Sequence, residues 1–435
     1  MIQEDFKAVI DIGTTKVVAL LGKRTPSGNI ETAAVGVAPC QGLQKGVVAD
    51  QAATAEAIRD AVRQVSEQAG VSVRAAYVGL SGSHIQSANR WDKVHETEDV
   101  RVITQEDMEQ AERVVKTRVA GQQQHLLHVL PRAFALDGRH MVNNPLGMHA
   151  AEMHAHSHVI TGDPDSIRAL TAAVEAAGLS VAGLIVEPIA SAEATLSPVE
   201  RDEGAVLLDI GGGTTDIAVF MDGHIAYTNV LPVGGWQFSN DLVVGFRTSF
   251  EQAEEIKLAY GSVTPEGSSM REEIEIPTQA RDMEGPLVVT RREIAQIMKD
   301  RAYEMLRLVR RRLISSGVDE APMERLVLTG GGAKLDGMQG LARYVFQGNV
   351  RTAAPRAIDG LPEEYEDPQY SASVGMLVWG TRHLKSESHV RAFPRATGES
   401  AVEEVERPRK LFGIFRAFRR GAAKDTESPS QRVRA

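Results

Sequence analysis

The sequence contains a single cysteine, Cys40, among 435 residues. An internal disulfide is therefore excluded, and the composition fits a reducing compartment such as the cytoplasm. No apolar run approaches the ~18 residues that a membrane-spanning helix needs. The first residues also lack the basic-then-apolar pattern of a secretion signal, so we expect neither a leader peptide nor a transmembrane helix.

Basic residues are not in excess either, because the formal net charge is −10. A broadly basic surface of the kind that coats nucleic acid is therefore not expected, and nucleic acid is not a predicted partner. This average conceals a basic segment near the C-terminus, which is considered below.

The remaining composition is typical of a soluble globular protein, with 43% apolar and 24% charged residues. The length suggests two or more domains. Short β-branched runs alternate with longer helical patterns from about residue 6 to about residue 385, and this alternation predicts an α/β protein. The helical patterns cover residues 51–69, 165–178, 250–260 and 291–316.

Two blocks interrupt this alternation. Within residues 84–158, Thr104 followed by Asp107 has the pattern of a helix N-cap, and strand-like residues follow. We therefore predict a small inserted α+β subdomain there, and a second, mostly helical insert at 233–318. After about residue 385 the composition shifts to Ser, Pro, Glu and Arg, which predicts a disordered linker.

The most informative feature is a motif that occurs twice. Residues 9–18 read VIDIGTTKVV, and residues 206–220 read VLLDIGGGTTDIAVF. Each copy has an aspartate at a strand end, then glycine and threonine residues, and then a second strand. The pattern predicts two β-hairpins whose turns lie against a ligand, since glycine lets the backbone bend and approach a ligand closely.

Each part of the motif suits a polyphosphate. Successive N–H groups in a turn can bind phosphate oxygens, and threonine hydroxyls add donors. Asp11 and Asp209 suit a magnesium ion that keeps most of its waters, and Lys16 can place a positive charge near the phosphates. The turn residues predicted to bind phosphate are Gly13, Thr14, Thr15, Gly211, Gly212, Gly213, Thr214 and Thr215.

An ordinary glycine-rich turn would be the better interpretation if there were only one copy. Two copies in two similar α/β halves indicate an internal duplication, which predicts two facing hairpins that hold one polyphosphate between them. The sequence contains neither a GxxxxGKS or GxxxxGKT P-loop nor a GxGxxG dinucleotide turn. A P-loop or a dinucleotide-binding turn is therefore not an alternative phosphate site in this sequence.

With these two hairpins the sequence resembles the actin, Hsp70 and sugar-kinase ATPase superfamily. Three further segments resemble its remaining motifs, in family order. GLIVEPIASAEATL (183–196) is similar to the first connecting helix, RLVLTGGGAKLDGM (325–338) to the adenosine loop, and YSASVGMLVWG (370–380) to the second connecting helix. The resemblance implies an α/β, actin-like ATPase fold with two ribonuclease-H-like lobes around a nucleotide cleft, each with an inserted subdomain.

The resemblance also implies domain boundaries. The first lobe would comprise residues 1–83, 159–197 and 370–385, with the insert at 84–158. The second lobe would comprise residues 198–232 and 319–369, with the insert at 233–318. A disordered linker (386–408), a short helix (409–420) and a disordered end (421–435) would follow.

ATP and Mg²⁺ are the ligands that the resemblance implies, with hydrolysis slow at most. It assigns the metal, held through water, to Asp11 and Asp209. Glu187 would orient or deprotonate the attacking water, and Asp216 would support that water or the metal.

The rest of the implied nucleotide site lies in the second half of the chain. Its glycines are Gly234, Gly235, Gly330, Gly331 and Gly332, the last three carrying the adenosine. Glu254 and Lys257 share one helix face and match a pair that contacts ribose and adenine in relatives. An ordinary surface ion pair is an equal alternative for these two residues.

Within the superfamily the sequence resembles the FtsA family of bacterial cell-division proteins, which tether the tubulin-like FtsZ to the membrane. The block at 84–158, with VITQEDMEQAERVV, resembles a subdomain peculiar to FtsA and its relatives. Residues 232–261 resemble the opening of the subdomain that binds the FtsZ C-terminal tail, although Trp236 and Phe238 stand where smaller or polar residues are usual. The resemblance implies actin-like filaments at the division site.

The basic segment, residues 409–420, reads RKLFGIFRAFRR. On a helix its apolar side chains gather on one side and its basic side chains cover the rest, as in helices that lie in the headgroup region of anionic membranes. A helix docked on the protein's own core, or held in a partner's groove, is the alternative. The residues assigned to the membrane are Leu411, Phe412, Ile414, Phe415, Phe418, Lys410, Arg416, Arg419 and Arg420.

A histidine cluster in HAAEMHAHSH contains His149, His154, His156 and His158. Alternating histidines can bind zinc, but no cysteine or close set of carboxylates completes a site here. We therefore expect a solvated strand.

The favoured hypothesis is a cytoskeletal adaptor that binds ATP, polymerises and anchors FtsZ to the inner face of the cytoplasmic membrane as a peripheral protein. The alternatives are a type IV pilus adaptor similar to PilM, a small-molecule kinase on the same scaffold and an Hsp70-like chaperone. A kinase would need an aspartate that acts as a base in a pocket for the acceptor substrate, and the first lobe offers no convincing candidate. The chaperone's β-rich peptide-binding domain has no counterpart, and MreB-type filaments would lack the 84–158 insert.

Overall fold

The structure is a computed structural model that describes residues 5–392, except 121–122, 139, 278–284, 319, 357 and 385–388. The segment 409–420, predicted to bind membranes, and the predicted disordered end at 421–435 lie outside the described residues.

The chain begins with five strands, the last two of which are short, and then a helix. Asp50 caps that helix by accepting a hydrogen bond from the Ala53 N–H, and Gly70 ends it in the left-handed conformation. The elements are β1 (Phe6–Ile12), β2 (Lys16–Arg24), β3 (Ile30–Pro39), β4 (Leu43–Gln44), β5 (Val47–Val48), α1 (Gln51–Ala69), β6 (Val71–Val73) and β7 (Ala75–Leu80).

A subdomain follows in which one helix packs on a four-stranded sheet of order β10-β9-β11-β8. Val115 and Val119 of the helix contact Val159 of the sheet in a small core. The elements are β8 (Ile85–Val102), α2 (Gln105–Ala120), β9 (His125–Leu136), β10 (His140–Val142) and β11 (His149–Gly162).

The chain then returns to the first sheet, whose order is β12-β7-β1-β2-β3. β1, β2 and β3 pair antiparallel, whereas β7 and β12 run parallel to β1. The returning elements are α3 (Pro164–Ala176), β12 (Ser180–Val186), α4 (Glu187–Thr195) and α5 (Pro198–Glu203).

The second half repeats this plan in a sheet of order β15-β14-β13-β18-β19, again with three antiparallel strands followed by two parallel ones. The elements are β13 (Ala205–Ile210), β14 (Thr215–Met221), β15 (His224–Leu231), α6 (Gly235–Phe246), α7 (Phe250–Tyr260), β16 (Glu273–Ile276), β17 (Leu287–Thr290), α8 (Arg291–Ser315), α9 (Glu320–Met323), β18 (Arg325–Thr329), α10 (Met338–Phe346), β19 (Asn349–Thr352), α11 (Ser371–His383) and β20 (Val390–Ala392).

The duplicated plan explains why the strands read as continuous apolar runs. β13 is buried on both faces: Leu207 belongs to the core shared with the first sheet, and Leu208 to a second core with α6 and α8. Strands covered on both faces need no polar alternation. The internal duplication inferred from the repeated motif is thus present in the topology.

The two connecting helices, α4 and α11, cross in direct contact between the sheets. A Cβ on Gly375 of α11 would lie 1.7 Å from the carbonyl oxygen of Ala190 on α4. Only glycine permits this approach. The crossing sets the first turns of both helices beside the ends of β1 and β13.

Two expectations need correction. Residues 389–392, assigned to the disordered linker, include β20, which pairs antiparallel with β6. His158, expected on a solvated strand, is buried, because β11 is an inner strand and this residue packs against β15. The strand itself is present as predicted.

Candidate functional site

The two repeated motifs form equivalent turns. The Gly13 N–H donates to the Lys16 carbonyl at 2.9 Å, and the Gly211 N–H donates to the Thr214 carbonyl at 2.9 Å. Thr14 and Thr15 therefore correspond in space to Gly212 and Gly213, and Lys16 corresponds to Thr214. The two Thr-Thr pairs that look alike in the sequence occupy different positions in their turns.

These turns face each other across the cleft between the two sheets, as the duplication predicts. A Cβ on Gly213 would lie 2.4 Å from the Thr14 hydroxyl oxygen, and a Cβ on Gly212 would lie 2.9 Å from the Thr15 methyl carbon. The second turn therefore needs glycine where the first carries threonine. Both turns line one cavity of about 480 Å³.

The tips of the turns carry unused donors. Among the described residues, the backbone N–H groups of Thr14, Thr15, Gly212 and Gly213 donate no hydrogen bond. Four such donors gathered at one cavity are the arrangement that binds an anion with several oxygens. This donor set fits a polyphosphate.

Four carboxylates lie beside the turns, and three of them accept a hydrogen bond from a serine. Ser373 of α11 donates to Asp11 at 2.6 Å, and Ser191 of α4 donates to Asp209 at 2.5 Å. The connecting helices thus hold the two repeated aspartates in the same way.

The other two carboxylates are Asp216 and Glu187. Asp216 accepts from the Ser81 hydroxyl at 2.7 Å. Glu187 is the first residue of α4 and lines the cavity, and its side chain makes no hydrogen bond to any of the described residues.

Burial and mutual repulsion make these carboxylates hard to ionise. Burial raises the pKa of Asp209 to about 6, although the hydrogen bond from Ser191 lowers it. The charge of Asp11 adds to the rise. The pKa of Glu187 is held well above its usual value by burial and by the charges of Asp11, Asp216 and Asp209. Burial likewise raises the pKa of Asp11 and that of Asp216. A bound cation would relieve this repulsion.

A metal held directly by several side chains does not fit this geometry. In the described part of the chain, no three His, Cys, Asp or Glu side chains are close enough to hold a metal ion. The site instead fits an ion that keeps most of its waters and touches few carboxylates, as Mg²⁺ does.

Lys16 extends across the cleft to a short segment before α11. Its ammonium donates to the Gln369 side-chain oxygen at 2.8 Å and lies 3.8 Å from the centre of the Tyr370 ring. Burial lowers the pKa of Lys16 to about 8, partly offset by the charge of Asp11. Lys334 pairs with Asp367 of the same segment at 2.6 Å.

The far end of the cavity combines glycines with apolar side chains. Gly330 has φ +83°, and a Cβ there would lie 2.2 Å from an Asp209 carboxylate oxygen, whereas a Cβ on Gly331 would meet only the Gln369 Cβ, at 3.9 Å. The apolar lining comes from Phe238, Leu258, Met298 and Leu335. A flat apolar group fits against such a wall.

Glu254 and Lys257 also line the cavity, and they form an ion pair of 2.7 Å. Glu254 accepts from the Ser239 hydroxyl at 2.5 Å, and Lys257 donates to the Gly235 carbonyl at 3.2 Å. The pair is partly buried and fixes the start of α6 at the cavity. It is therefore not an isolated surface pair.

Most of the predicted residues are brought together by the fold. The cavity is lined by Asp11, Gly13, Thr14, Thr15, Lys16, Glu187, Asp209, Gly211, Gly212, Gly213, Thr214, Asp216, Gly235, Glu254, Lys257, Gly330, Gly331 and Gly332.

Thr215 and Gly234 do not line the cavity. Thr215 corresponds to Val17, faces the opposite side of the sheet and donates to the Val233 carbonyl at 2.7 Å. Gly234 is buried behind the second turn, where a Cβ would lie 2.6 Å from the Gly211 carbonyl oxygen. Both residues support the turn from behind.

Sequence reasoning missed the three serines that hold the aspartates, and also Lys334 and Gln369. A signal for two of the serines was present: an Ala-Ser pair occurs near the start of each connecting-helix motif, at 190–191 and 372–373. Nothing in the sequence marked Ser81.

A second concavity lies between α8 and α10, outside the cleft. It is basic and aromatic, with the Arg307 guanidinium 5.6 Å from the centre of the Tyr303 ring and the rings of Tyr303 and Tyr344 6.4 Å apart. The lining residues are Tyr303, Arg307, Arg310, Arg311, Ile314, Arg343, Tyr344, Val345 and Gln347. Such a groove suits an extended or helical peptide with acidic and apolar side chains.

Comparison with protein families gives matches across this architecture. The family model "Cell division protein FtsA" matches residues 206–375, and "SHS2 domain inserted in FTSA" matches residues 82–161. A third, "Type IV pilus assembly protein PilM", matches residues 134–268.

Individual proteins give a consistent result. A cell division protein FtsA from Pseudomonas aeruginosa is 34% identical over 371 residues, which cover 85% of this chain and 88% of that protein. Among solved structures, a PilM-PilN type IV pilus biogenesis complex aligns with TM-score 0.61 at 19% identity, covering 87% of this chain and 98% of the matched chain. MreB5 of Spiroplasma citri bound to ADP aligns with TM-score 0.51 at 16% identity, covering 87% and 96%. The two structures share the actin-like fold with this chain.

Proposed function

This chain belongs to the FtsA family of actin-like cell-division proteins, and from that membership we propose that it is an ATP-binding adaptor that attaches FtsZ to the cytoplasmic face of the membrane at the division site. The single observation that carries ATP binding is the set of four unused N–H donors on two facing turns. The solved MreB5 relative, which shares the fold, is bound to ADP.

The residues present fit Mg-ATP. Thr14, Thr15, Gly212 and Gly213 would hold the phosphates, and Asp11 and Asp209 the Mg²⁺ through water. When bound, Mg-ATP supplies a divalent cation that offsets the repulsion among the buried carboxylates, together with a phosphoanhydride bond. The adenosine would lie against Gly330, Gly331 and Gly332, with Glu254 and Lys257 at its ribose and base.

Glu187 and Asp216 are proposed to position the attacking water. In the ligand-free protein, burial and the charges of Asp11, Asp216 and Asp209 raise the pKa of Glu187, which favours the protonated carboxyl. A neighbouring positive charge lowers the pKa of a carboxyl and lets it accept a proton. Base activity at Glu187 would then depend on the ligand, which is consistent with at most a slow ATPase.

The adaptor role rests on family membership. Closure of the cleft around nucleotide would favour actin-like filaments, and the 409–420 helix would hold them on anionic lipid. No helix in the described part of the chain is long and apolar enough to cross a membrane.

FtsZ capture is proposed for the 233–318 insert, as predicted from the sequence. The basic and aromatic groove between α8 and α10 supports this proposal, because part of it belongs to the insert and its Arg307, Arg310 and Arg311 offer charge to an acidic peptide. Replacing Arg310 and Arg311 with alanine should weaken binding of the FtsZ C-terminal tail, while Mg-ATP affinity stays unchanged. An unchanged affinity for the tail would remove the groove from the proposal.

A pilus adaptor similar to PilM is the second candidate, because a PilM family model matches residues 134–268 and the PilM structure shares the fold. The 34% identity to an FtsA over most of both chains favours the division role. A pilus adaptor is not expected to need the basic amphipathic segment at 409–420.

Electron microscopy on an anionic lipid monolayer, with and without Mg-ATP, tests the proposed function. We expect filaments only when lipid and Mg-ATP are both present. A protein lacking residues 408–435 should bind Mg-ATP with unchanged affinity but should not co-sediment with anionic liposomes. Undiminished co-sedimentation of the truncated protein would contradict the membrane role of that segment.

A further inference from the structure

Ser81 joins the first lobe to a carboxylate of the second. It follows β7 directly, is buried, and donates from its hydroxyl to Asp216 at 2.7 Å. Its hydroxyl oxygen also lies 3.2 Å from that of Thr214 in the second turn. Asp216 thus has its hydroxyl donor on the opposite side of the cleft.

Ser81 also stands at the root of the inserted subdomain, since β8 begins at Ile85. This root has little room to move. A Cβ on Gly46 would lie 2.4 Å from the Ser81 carbonyl oxygen and 2.8 Å from the Gly82 Cα, so the backbone is closely packed here. A displacement of Ser81 is therefore passed on to the strand that begins four residues later.

The inserted subdomain also makes contacts of its own with the second lobe. Ser87 donates from its hydroxyl to the Thr228 carbonyl at 2.8 Å, and the Asn89 amide donates to the Ala226 carbonyl at 2.8 Å. Buried His158 bonds the Asn89 side-chain oxygen at 2.7 Å and the Thr228 hydroxyl at 3.0 Å. These contacts join β8 and β11 to β15.

β15 pairs directly with β14, and Val230 lies opposite Asp216 in the register. The subdomain is inserted in the first lobe along the chain, but it is bonded to β15 of the second lobe, and Ser81, which precedes the subdomain, is bonded to Asp216 on the neighbouring strand β14. A shift of the second turn therefore moves both attachments together.

We propose that Ser81 is a positioning residue for Asp216 and that, through Ser81 and β15, the inserted subdomain follows the ligand state of the second turn. Taking Mg-ATP as that ligand rests on the proposed function. The subdomain surface then differs between the ligand-free and ligand-bound protein, and Ser81 is one of the two contacts that transmit the difference.

The protein carries its own reporters for a test. Trp91 lies on β8 beside the attachment and stacks on His156 with ring centres 4.4 Å apart. Trp236 follows Gly235, which lines the cavity. In full-length protein labelled with fluorotryptophan, the Trp236 fluorine signal reports binding and the Trp91 signal reports the subdomain.

We expect Mg-ATP to shift both signals in the wild-type protein. In Ser81→Ala the Trp236 signal should still shift and the Trp91 shift should be smaller than in the wild type, with Mg-ATP affinity reduced about tenfold, as for loss of one hydrogen bond to a charged group. Ser81→Thr, which keeps the hydroxyl, should restore both. Ser83→Ala is the matched control, because Ser83 is exposed and two residues away.

An equal Trp91 shift in Ser81→Ala and wild type, or a failure of Ser81→Thr to restore the shift, would overturn the proposal. The proposal would also be overturned if, in the wild type, Mg-ATP shifts the Trp236 signal and leaves the Trp91 signal unchanged. If Ser81→Ala does not fold, Ser87→Ala cuts the other attachment and should reduce the Trp91 shift without changing affinity. Absence of Mg-ATP binding by the wild type in calorimetry would instead overturn the proposed function, and this inference with it.

Discussion

Replacing Gly375 with alanine tests whether the contact between the connecting helices holds the site together. The added Cβ would lie 1.7 Å from the Ala190 carbonyl oxygen and 2.4 Å from its carbonyl carbon. Both are backbone atoms, so no side-chain rotation relieves the clash. Since ordinary contacts are about 3.5 Å, α4 and α11 would have to separate by about 1.5–2 Å.

The expected cost follows from two opposing effects. Overpacking a close-packed core costs roughly 1–3 kcal/mol or more, whereas replacing a helical glycine with alanine returns about 1 kcal/mol. Because the clash is with backbone, we expect a net loss of about 2 kcal/mol in the free energy of unfolding. Mg-ATP binding should weaken as well, because Ser191 and Ser373, which donate hydrogen bonds to Asp209 and Asp11, lie on the two helices.

Urea unfolding and calorimetric titration with Mg-ATP measure both effects. Gly340→Ala is the matched control, because Gly340 lies in α10 and a Cβ there would meet nothing within 4 Å. That variant should gain about 0.5–1 kcal/mol and bind normally. A Gly375→Ala protein as stable as the wild type would refute the reasoning, and so would an equal loss in both variants.

Four further predictions concern the carboxylates and the second turn. Asp209→Asn should weaken Mg-dependent ATP binding in calorimetry, and wild-type affinity would count against the assigned role. The same variant should have a higher melting temperature than the wild type in the ligand-free state at pH 8 but not at pH 4. The pKa of Asp209 in the folded protein is raised from 3.8 to about 6, so the wild type loses stability as the pH rises through that interval, whereas asparagine does not ionise. An equal rise at both pH values would contradict this. Glu187→Ala should keep nucleotide affinity and slow phosphate release, and an unaltered turnover rate would remove Glu187 from the proposed chemistry. Thr215→Val should lower the free energy of unfolding by about 1–2 kcal/mol, because the Val233 carbonyl loses its donor, and should leave Mg-ATP affinity unchanged; a selective loss of affinity would return Thr215 to the site.

Much of the fold could be predicted because the local signals are strong. The pattern at 51–69 matches α1 because an aspartate and a glycine bound the helix. The pattern at 291–316 matches α8 to within one residue because Thr290 and Glu293 form a capping box at its start. The duplication was readable because each hairpin keeps an aspartate at the end of a buried strand.

What could not be predicted depends on pairing between distant segments. The Thr-Thr repeat suggested that Thr215 matches Thr15, but the hydrogen bonds of the two turns show that Thr215 is the equivalent of Val17. The side-chain alternation of a strand then turns Thr215 away from the cavity. Alternation along β11 did not reveal that β15 covers His158. β20 is short and forms only through pairing with β6, far away in the sequence.

The most direct test of the central claim is a crystal structure of the protein with Mg²⁺ and a non-hydrolysable ATP analogue. We predict that the triphosphate accepts hydrogen bonds from backbone N–H groups of residues 14–15 and 212–213 together, with the metal beside Asp11 and Asp209. An analogue bound elsewhere, or touching only one of the two turns, would contradict the account.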